Sequence, residues 1–145
     1  MEVRVALALV VAVAVAGCGS AGEAPAPEPP AEQTLEQAED GNFTLYVSNQ
    51  SFDRGNVDIK VWINGFVAVD EDFDVGNQHN WVEFKFHLAD GSHAIRVESS
   101  RGDAVLQEQF ESGGKRWAVV DYWCCGGPDE PKFSFLVSDR PIGFA

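Results

Sequence analysis

Basic side chains are scarce in this sequence. It contains 10 Lys and Arg residues against 23 Asp and Glu residues, which gives a formal net charge of −13 at pH 7. Nucleic-acid binding depends on clustered Lys and Arg to neutralise phosphates, and docking on anionic lipid headgroups also needs a basic surface. The composition therefore argues against both functions, and the acidity is most simply a source of solubility.

Long apolar runs are also missing. The longest one covers residues 5–16, which are all Val, Ala or Leu. A transmembrane helix needs about 20 apolar residues, so this run is too short to span a bilayer. Its length and its position behind Arg4 are typical of the hydrophobic region of a secretory signal peptide, although Glu2 weakens the positive charge ahead of it.

The apolar run ends in the motif V-A-G-C at residues 15–18. This motif resembles the lipobox of bacterial lipoproteins. The resemblance implies that residues 1–17 are a signal peptide, that the chain is cut between Gly17 and Cys18, and that Cys18 carries a diacylglycerol. Several acyl chains together anchor a protein stably. The resemblance implies export and a lipid anchor in the cell membrane. Gly19 stands where the family has its Asp signal for retention at the inner membrane, so in an envelope with two membranes the resemblance implies sorting to the outer membrane.

The segment after the cysteine, residues 18–40, is rich in Pro, Glu and Ala. It holds four of the seven prolines and six acids, and it has no base. Such a composition buries too little apolar surface to fold, and its Ala-Pro alternation favours extended polyproline II structure. We therefore expect a flexible, acidic tether that holds a domain away from the membrane.

Residues 41–145 show no helical spacing of apolar residues. Apolar and polar residues alternate instead, which indicates half-buried strands. Turn signals separate the runs, and Asn64-Gly65 is the strongest of them, because a type I′ turn needs positive φ at both positions. The sequence predicts an all-β fold, an antiparallel β-sandwich of about eight short strands. The alternating runs lie at residues 43–48, 57–63, 81–88, 95–97 and 133–137.

The middle of this domain adds a second resemblance. The stretches V-D-I-K-V-W-I-N-G, W-V-E-F-K-F-H-L and A-D-G-S-H-A-I-R-V, with the turn Gly91, Ser92 and His93, are similar to immunoglobulin-like and fibronectin-like domains of bacterial surface proteins. The resemblance implies an Ig-like sandwich. The Cys…Trp…Cys pattern of antibody domains is missing, and this fold class does not fix a function.

Three aromatic residues, Tyr46, Trp62 and Trp81, fall at positions predicted to point outward. Flat aromatic side chains on a β face are how many carbohydrate-binding modules hold sugar rings. These residues are therefore a candidate ligand face. The alternative is that residues 141–145, another strand or the second sheet cover them.

Cys124 and Cys125 are the only thiols left once Cys18 carries lipid. Adjacent Cα atoms are about 3.8 Å apart, whereas a relaxed disulfide needs about 4.4–6.8 Å, so a bond between them would be strained and easily reduced. They are a candidate redox pair, and the alternative is two unremarkable thiols in a loop.

Asp70, Asp72 and Asp74 form a candidate calcium site, since calcium prefers hard oxygen ligands. The EF-hand pattern fails because Val75 stands where that loop needs Gly. The alternative is an edge strand whose charges prevent aggregation. Zinc needs three or four converging ligands, and the three histidines do not supply them. Residues 101–103 spell Arg-Gly-Asp and are expected to form a hairpin turn.

Motifs for catalysis are missing from the sequence. It has no nucleophile elbow, no His-Glu-x-x-His and no phosphate-binding Gly loop. We therefore expect a non-catalytic binding or scaffold module that contacts an envelope protein and needs no cofactor. One alternative is a carbohydrate or cell-wall binder that uses Tyr46, Trp62 and Trp81. Another is a redox or metal-linked role through Cys124 and Cys125.

Overall fold

The computed structural model describes residues 30–76, 80–125 and 130–144. Within these ranges the chain forms eight strands and no helix, and so contains no helix that could cross a membrane. The predicted signal peptide, Cys18 and most of the predicted tether lie outside the described residues. The lipid anchor therefore stays a prediction.

The strands pack as two four-stranded sheets, which confirms the predicted all-β sandwich. One, the β1 sheet, has the order β4-β1-β7-β8, and the other, the β2 sheet, has the order β3-β2-β5-β6. The strands are β1 Phe43–Asn49, β2 Asn56–Ile63, β3 Phe66–Asp74, β4 Val82–Phe86, β5 Gly91–Ser99, β6 Ala104–Ser112, β7 Arg116–Trp123 and β8 Lys132–Ser138.

One pairing departs from the predicted antiparallel arrangement. Strands β1 and β7 run parallel, in a register from Phe43 opposite Arg116 to Asn49 opposite Tyr122. Strand β1 lies inside its sheet, and six of its seven residues are buried. Parallel pairs are typical of strands that are covered on both faces, so the burial of β1 suits this pairing.

The resemblance to immunoglobulin-like domains extends to the sandwich architecture and not to the strand order. A constant-type immunoglobulin domain places its first, second, fifth and fourth strands in one sheet and the other three in the second sheet. Here the first strand lies between the fourth and the seventh, and the second lies between the third and the fifth.

The core lies between the two sheets and is built from the predicted alternation. In β2 the inward residues Val57, Ile59, Val61 and Ile63 are at most 1% exposed. Between them, Asp58, Lys60 and Trp62 are only partly buried. The predicted turn follows β2, and both of its residues have positive φ, 52° at Asn64 and 83° at Gly65.

His93 joins this turn to the loop before β5. The ring is buried, its Nε2 lies 2.8 Å from the carbonyl oxygen of Ala89, and its Nδ1 lies 2.7 Å from the Asn64 amide nitrogen. Since the Ala89 carbonyl only accepts and the Asn64 amide nitrogen only donates, Nε2 carries the proton. The histidine of the Gly-Ser-His element is therefore a structural residue.

Residues 33–38, which we call the edge strap, belong to the folded domain and not to the tether. The Leu35 amide donates to the Val67 carbonyl at 2.7 Å on the free edge of β3, and the Ala38 amide donates to the Lys85 carbonyl at 2.9 Å on the free edge of β4. Leu35 packs against the core. The compact unit accordingly begins at Ala31, ten residues before the predicted boundary, because an open strand edge pairs with backbone of any composition.

A buried hydroxyl ties the two sheets together. The Tyr122 hydroxyl, on β7, donates to the Gly102 carbonyl at 2.8 Å, in the hairpin between β5 and β6. We expect Tyr122→Phe to lower the free energy of unfolding by about 1–3 kcal/mol, because a buried acceptor loses its partner. Urea unfolding measures this. The control is Tyr46→Phe, whose hydroxyl bonds Glu83 at the surface, and equal losses in both variants would contradict the role of Tyr122.

Candidate functional site

The three predicted ligand residues do not share one face. Tyr46 lies on β1 and Trp81 directly precedes β4, and both are on the outer face of the β1 sheet. Trp62 lies on β2 and points outward from the other sheet. Alternation distinguishes inward from outward positions within a strand, but it does not say which sheet the strand joins. The prediction of one face with all three residues is therefore wrong.

The outer face of the β1 sheet carries further apolar side chains that the sequence reasoning missed. On β7 the inward residues are Ala118, Val120 and Tyr122, so the intervening residues point outward. Strand β8 adds Leu136, which lies opposite Val119. The sequence signal for these outward positions was the alternation of inward and outward residues in R-W-A-V-V-D-Y-W. The residues added to this face are Trp117, Val119, Trp123 and Leu136.

Trp81 is held across this face by hydrogen bonds. Its Nε1 donates to Oδ1 of Asp121 on β7 at 2.9 Å, so the indole reaches over β1. The same oxygen accepts the Ser48 hydroxyl at 2.7 Å, and Ser48 accepts from the Gln50 amide at 2.6 Å. Ser48 and Gln50 are buried, and this network fixes the orientation of the indole ring.

Phe144 covers the indole. The two rings stack with centroids 4.0 Å apart and planes 16° apart. The Tyr46 ring meets Phe144 edge-on, with centroids 5.0 Å apart. The chain leaves β8 at Ser138 and crosses the sheet to reach Trp81 beside β4, so residues 139–144 lie over the outer face. Tyr46 and Trp81 are therefore covered from within the chain.

Charged groups surround this aromatic cluster. The Tyr46 hydroxyl donates to Oε2 of Glu83 at 3.0 Å, and Lys85 pairs with Glu83 at 2.9 Å. Burial and the bond to Glu83 raise the pKa of Tyr46. The bond from Lys85 is the main reason that the pKa of Glu83 is lowered, so Glu83 is ionised at neutral pH and accepts hydrogen bonds.

Trp62, on the opposite face, lies among charged side chains. Its Nε1 donates to Glu32 at 3.3 Å. The Lys60 ammonium lies 5.1 Å from the ring centroid and the Arg96 guanidinium lies 5.8 Å from it. Trp62 and Gln107 are among the residues that line an open groove of about 370 Å³. Among the described residues, Trp62 is the one aromatic side chain that lines this groove.

The candidate calcium ligands lie apart along β3. Asp70 pairs with Lys60 at 3.2 Å, Asp72 with Arg101, and Asp74 accepts from the Asn56 amide at 2.7 Å. Across residues 30–76, 80–125 and 130–144 no group of three acids, histidines or cysteines is placed to hold a metal. Alternate residues of a strand are about 6.6–6.8 Å apart, so these carboxylates do not converge, and β3 is an edge strand.

Cys124 and Cys125 are joined to each other by a disulfide, with their Cα atoms 3.7 Å apart. Cys124 packs against the core, and its carbonyl accepts the Ser51 hydroxyl at 3.1 Å. Cys125 is exposed and has a φ of 67°. The pair is therefore a disulfide at the end of β7, and one of its two sulfur-bearing residues faces solvent.

The Arg-Gly-Asp tripeptide forms the hairpin turn between β5 and β6. Arg101 pairs with Asp72 and Asp58, and Gly102 is buried. The turn is anchored on the Asp58 carboxylate, which accepts from the Arg101 amide at 2.8 Å and from the Ser99 hydroxyl at 3.0 Å. These contacts hold the turn against the domain.

Asp58 gives the fold a pH dependence. Partial burial raises its pKa, but the bonds from Arg101, Ser99 and Ser100 outweigh burial and hold the pKa below its usual value. A lowered pKa stabilises the folded state above the unfolded pKa of about 3.9, and the contribution is lost as pH falls through the folded pKa. We expect Asp58→Asn to cost about 1–2 kcal/mol at pH 7.

That cost should shrink as the pH falls below about 4, because the carboxyl is protonated first in the unfolded chain and only at a lower pH in the folded protein. Urea unfolding of both proteins between pH 7 and pH 2.5 measures the difference. Asp53→Asn, which alters an exposed carboxylate of the β1–β2 loop, is the control. A cost that stays constant with pH would show that the charge of Asp58 is irrelevant.

On one side of the sandwich no described segment is hydrogen-bonded along the strand edges, although β6 and β8 lie close to each other there. The edge strap covers β3 and β4, whereas in the described part of the chain β6 pairs only with β5 and β8 only with β7. Leu136 on β8 is 60% exposed and Trp123, beside that strand, is 42% exposed. Around Leu136, strand β8 therefore has no second strand partner among the described residues, and exposed apolar side chains lie beside this edge.

Comparisons with known proteins add no family to this geometry. No protein-family model matches the chain, and no curated protein and no solved structure matches it significantly.

Proposed function

We propose that the chain is an extracytoplasmic lipoprotein whose sandwich is a binding module for an envelope protein. The lipobox at residues 15–18 supports the lipid anchor at Cys18. The acidic, Pro-rich stretch up to residue 30 then serves as the tether, and the domain begins at the edge strap.

The open edge at β8 is the observation that carries the binding role. An unpaired strand edge accepts an extended segment of another chain through backbone hydrogen bonds, and pockets for alternate side chains give specificity. Leu136 and Trp123 supply apolar contacts beside this edge. Residues 41–145 contain 16 acids and 9 bases, so the partner segment is neutral or basic with alternate apolar residues.

In-cell photo-crosslinking from position 136 tests this proposal. A photoreactive amino acid replaces Leu136 in the full-length lipoprotein, and mass spectrometry identifies the attached protein. The matched control is Phe66, an exposed apolar residue on the strap-covered edge strand β3. We expect one dominant protein adduct from position 136 and none from position 66. The same adducts from both positions, or only background from position 136, would overturn the proposal.

The Cys124–Cys125 bond favours a redox role as the second candidate function. An external dithiol would reduce the pair to two thiols and become oxidised to its own disulfide. Exposure of Cys125 gives such a reagent access. We expect thiol titration of the lipidated protein to find no free thiol before reduction and two after it. The Cys124→Ser/Cys125→Ser variant should give none in either state, and two free thiols in unreduced wild type would remove the support for this role.

A further inference from the structure

The Phe144 ring lies on the Trp81 indole in the position that a flat ligand ring would take. The indole is held at its edge by the hydrogen bond from Nε1 to Asp121, and the Phe144 ring lies on its face, at a centroid distance of 4.0 Å and nearly parallel. Phe144 also meets the Tyr46 ring edge-on. Among the described residues, no backbone-to-backbone hydrogen bond joins residues 140–144 to a strand, and Phe144 is 38% exposed.

The groups around the ring indicate what else fits there. The flat indole takes the apolar face of a ring, and the Glu83 and Asp121 carboxylates next to it accept hydrogen bonds, with Lys85 as a donor. A pyranose combines an apolar C–H face with hydroxyl groups around its rim. An aromatic side chain of a partner protein would cover the indole face but would form no hydrogen bonds with Glu83, Asp121 or Lys85. A pyranose does both, so it is the better match for this site.

We propose that Trp81 is the stacking platform for a pyranose ring of an envelope polysaccharide, and that Phe144 is a built-in occupant which the sugar displaces. The site is separate from the β8 edge and does not depend on the proposed protein partner. Displacement exchanges one stacked ring for another and leaves the Trp81–Asp121 hydrogen bond intact.

Phe144 weakens sugar binding because it competes with the sugar for the indole face. The apparent dissociation constant equals the intrinsic one divided by the fraction of molecules in which Phe144 is away from the indole. Removing the phenyl ring should raise that fraction. We therefore expect Phe144→Ala to bind sugar about threefold to tenfold more tightly than wild type.

Calorimetric titration of the full-length protein in detergent tests the proposal. The ligands are hexasaccharides of β-1,4-linked glucose, of β-1,4-linked N-acetylglucosamine and of β-1,4-linked mannose. We expect at least one of them to bind wild type, to bind Phe144→Ala more tightly and to bind Trp81→Ala undetectably. The control Trp62→Ala removes an indole on the other sheet and should leave the affinity unchanged.

Failure of all three hexasaccharides to bind Phe144→Ala, which lacks the ring stacked on Trp81, would overturn the proposal. Dimerisation of Phe144→Ala without sugar binding would also overturn it, because the face would then bind protein. Circular dichroism checks folding, and if Trp81→Ala does not fold, the Phe144→Ala comparison still decides. Leu136→Lys should leave sugar affinity unchanged, so this test and the crosslinking test fail independently.

Discussion

Replacing Gly41 by alanine is expected to lower the free energy of unfolding by about 3 kcal/mol, at the upper end of the usual cost of overpacking. A Cβ atom there would lie 2.5 Å from the Phe86 carbonyl oxygen and 2.6 Å from the Phe86 nitrogen. These are backbone atoms at the end of β4, and Phe86 is wholly buried. The added methyl group would therefore push apart β1, β4 and the edge strap.

Gly55→Ala is the matched control for this substitution. No atom lies within 4 Å of a Cβ built at Gly55. There the alanine mainly restricts the unfolded chain, so we expect no loss, or a gain of about 0.4–1 kcal/mol. Urea unfolding of the two variants measures both effects. If the two glycines tolerate alanine equally, the close approach of Gly41 to β4 is absent in solution.

Replacing Cys18 by serine is expected to abolish lipid attachment completely. Serine has no thiol to form the thioether, and each buried methylene of an acyl chain contributes about 0.8 kcal/mol to membrane binding, so removal of the lipid has a large effect. Cells fed an alkyne-tagged fatty acid should label the wild type and not Cys18→Ser. The intact mass of wild type should correspond to residues 18–145 plus lipid.

The control for the lipid prediction is the Cys124→Ser/Cys125→Ser variant. It keeps the predicted lipobox, so it should label as strongly as wild type. Labelling that persists in Cys18→Ser, or a wild-type mass with an unmodified cysteine at position 18, would show that the motif at residues 15–18 is not a lipobox.

Much of the fold was predictable because its causes are local. A strand with one face in the core must alternate apolar and polar residues, and this alternation correctly gave the inward residues of β2 and β8. The turn at Asn64-Gly65 was predictable because few residue pairs adopt two positive φ angles in succession. Strand β7 was harder to predict from the sequence, because the apolar Val119 occupies an outward position where the alternation predicts a polar residue.

The candidate site was only partly predictable. Tyr46 and Trp81 were correctly placed on an outer face, and Trp62 was wrongly grouped with them because pairing between distant strands has no local signature. The acids of β3 suggested calcium, but the extended edge strand spreads them along its length, and each is paired with a different neighbour.

The sequence by itself determined the all-β class and the inward and outward positions of most strands, since each depends on neighbouring residues or on composition, and it predicts an export motif at residues 15–18. Only the tertiary structure decided that β1 and β7 run parallel, that the edge strap covers β3 and β4, and that Phe144 lies on Trp81. These contacts join residues far apart in the chain. The free energy of these contacts depends on which surfaces the whole fold brings together, so local sequence patterns do not predict them.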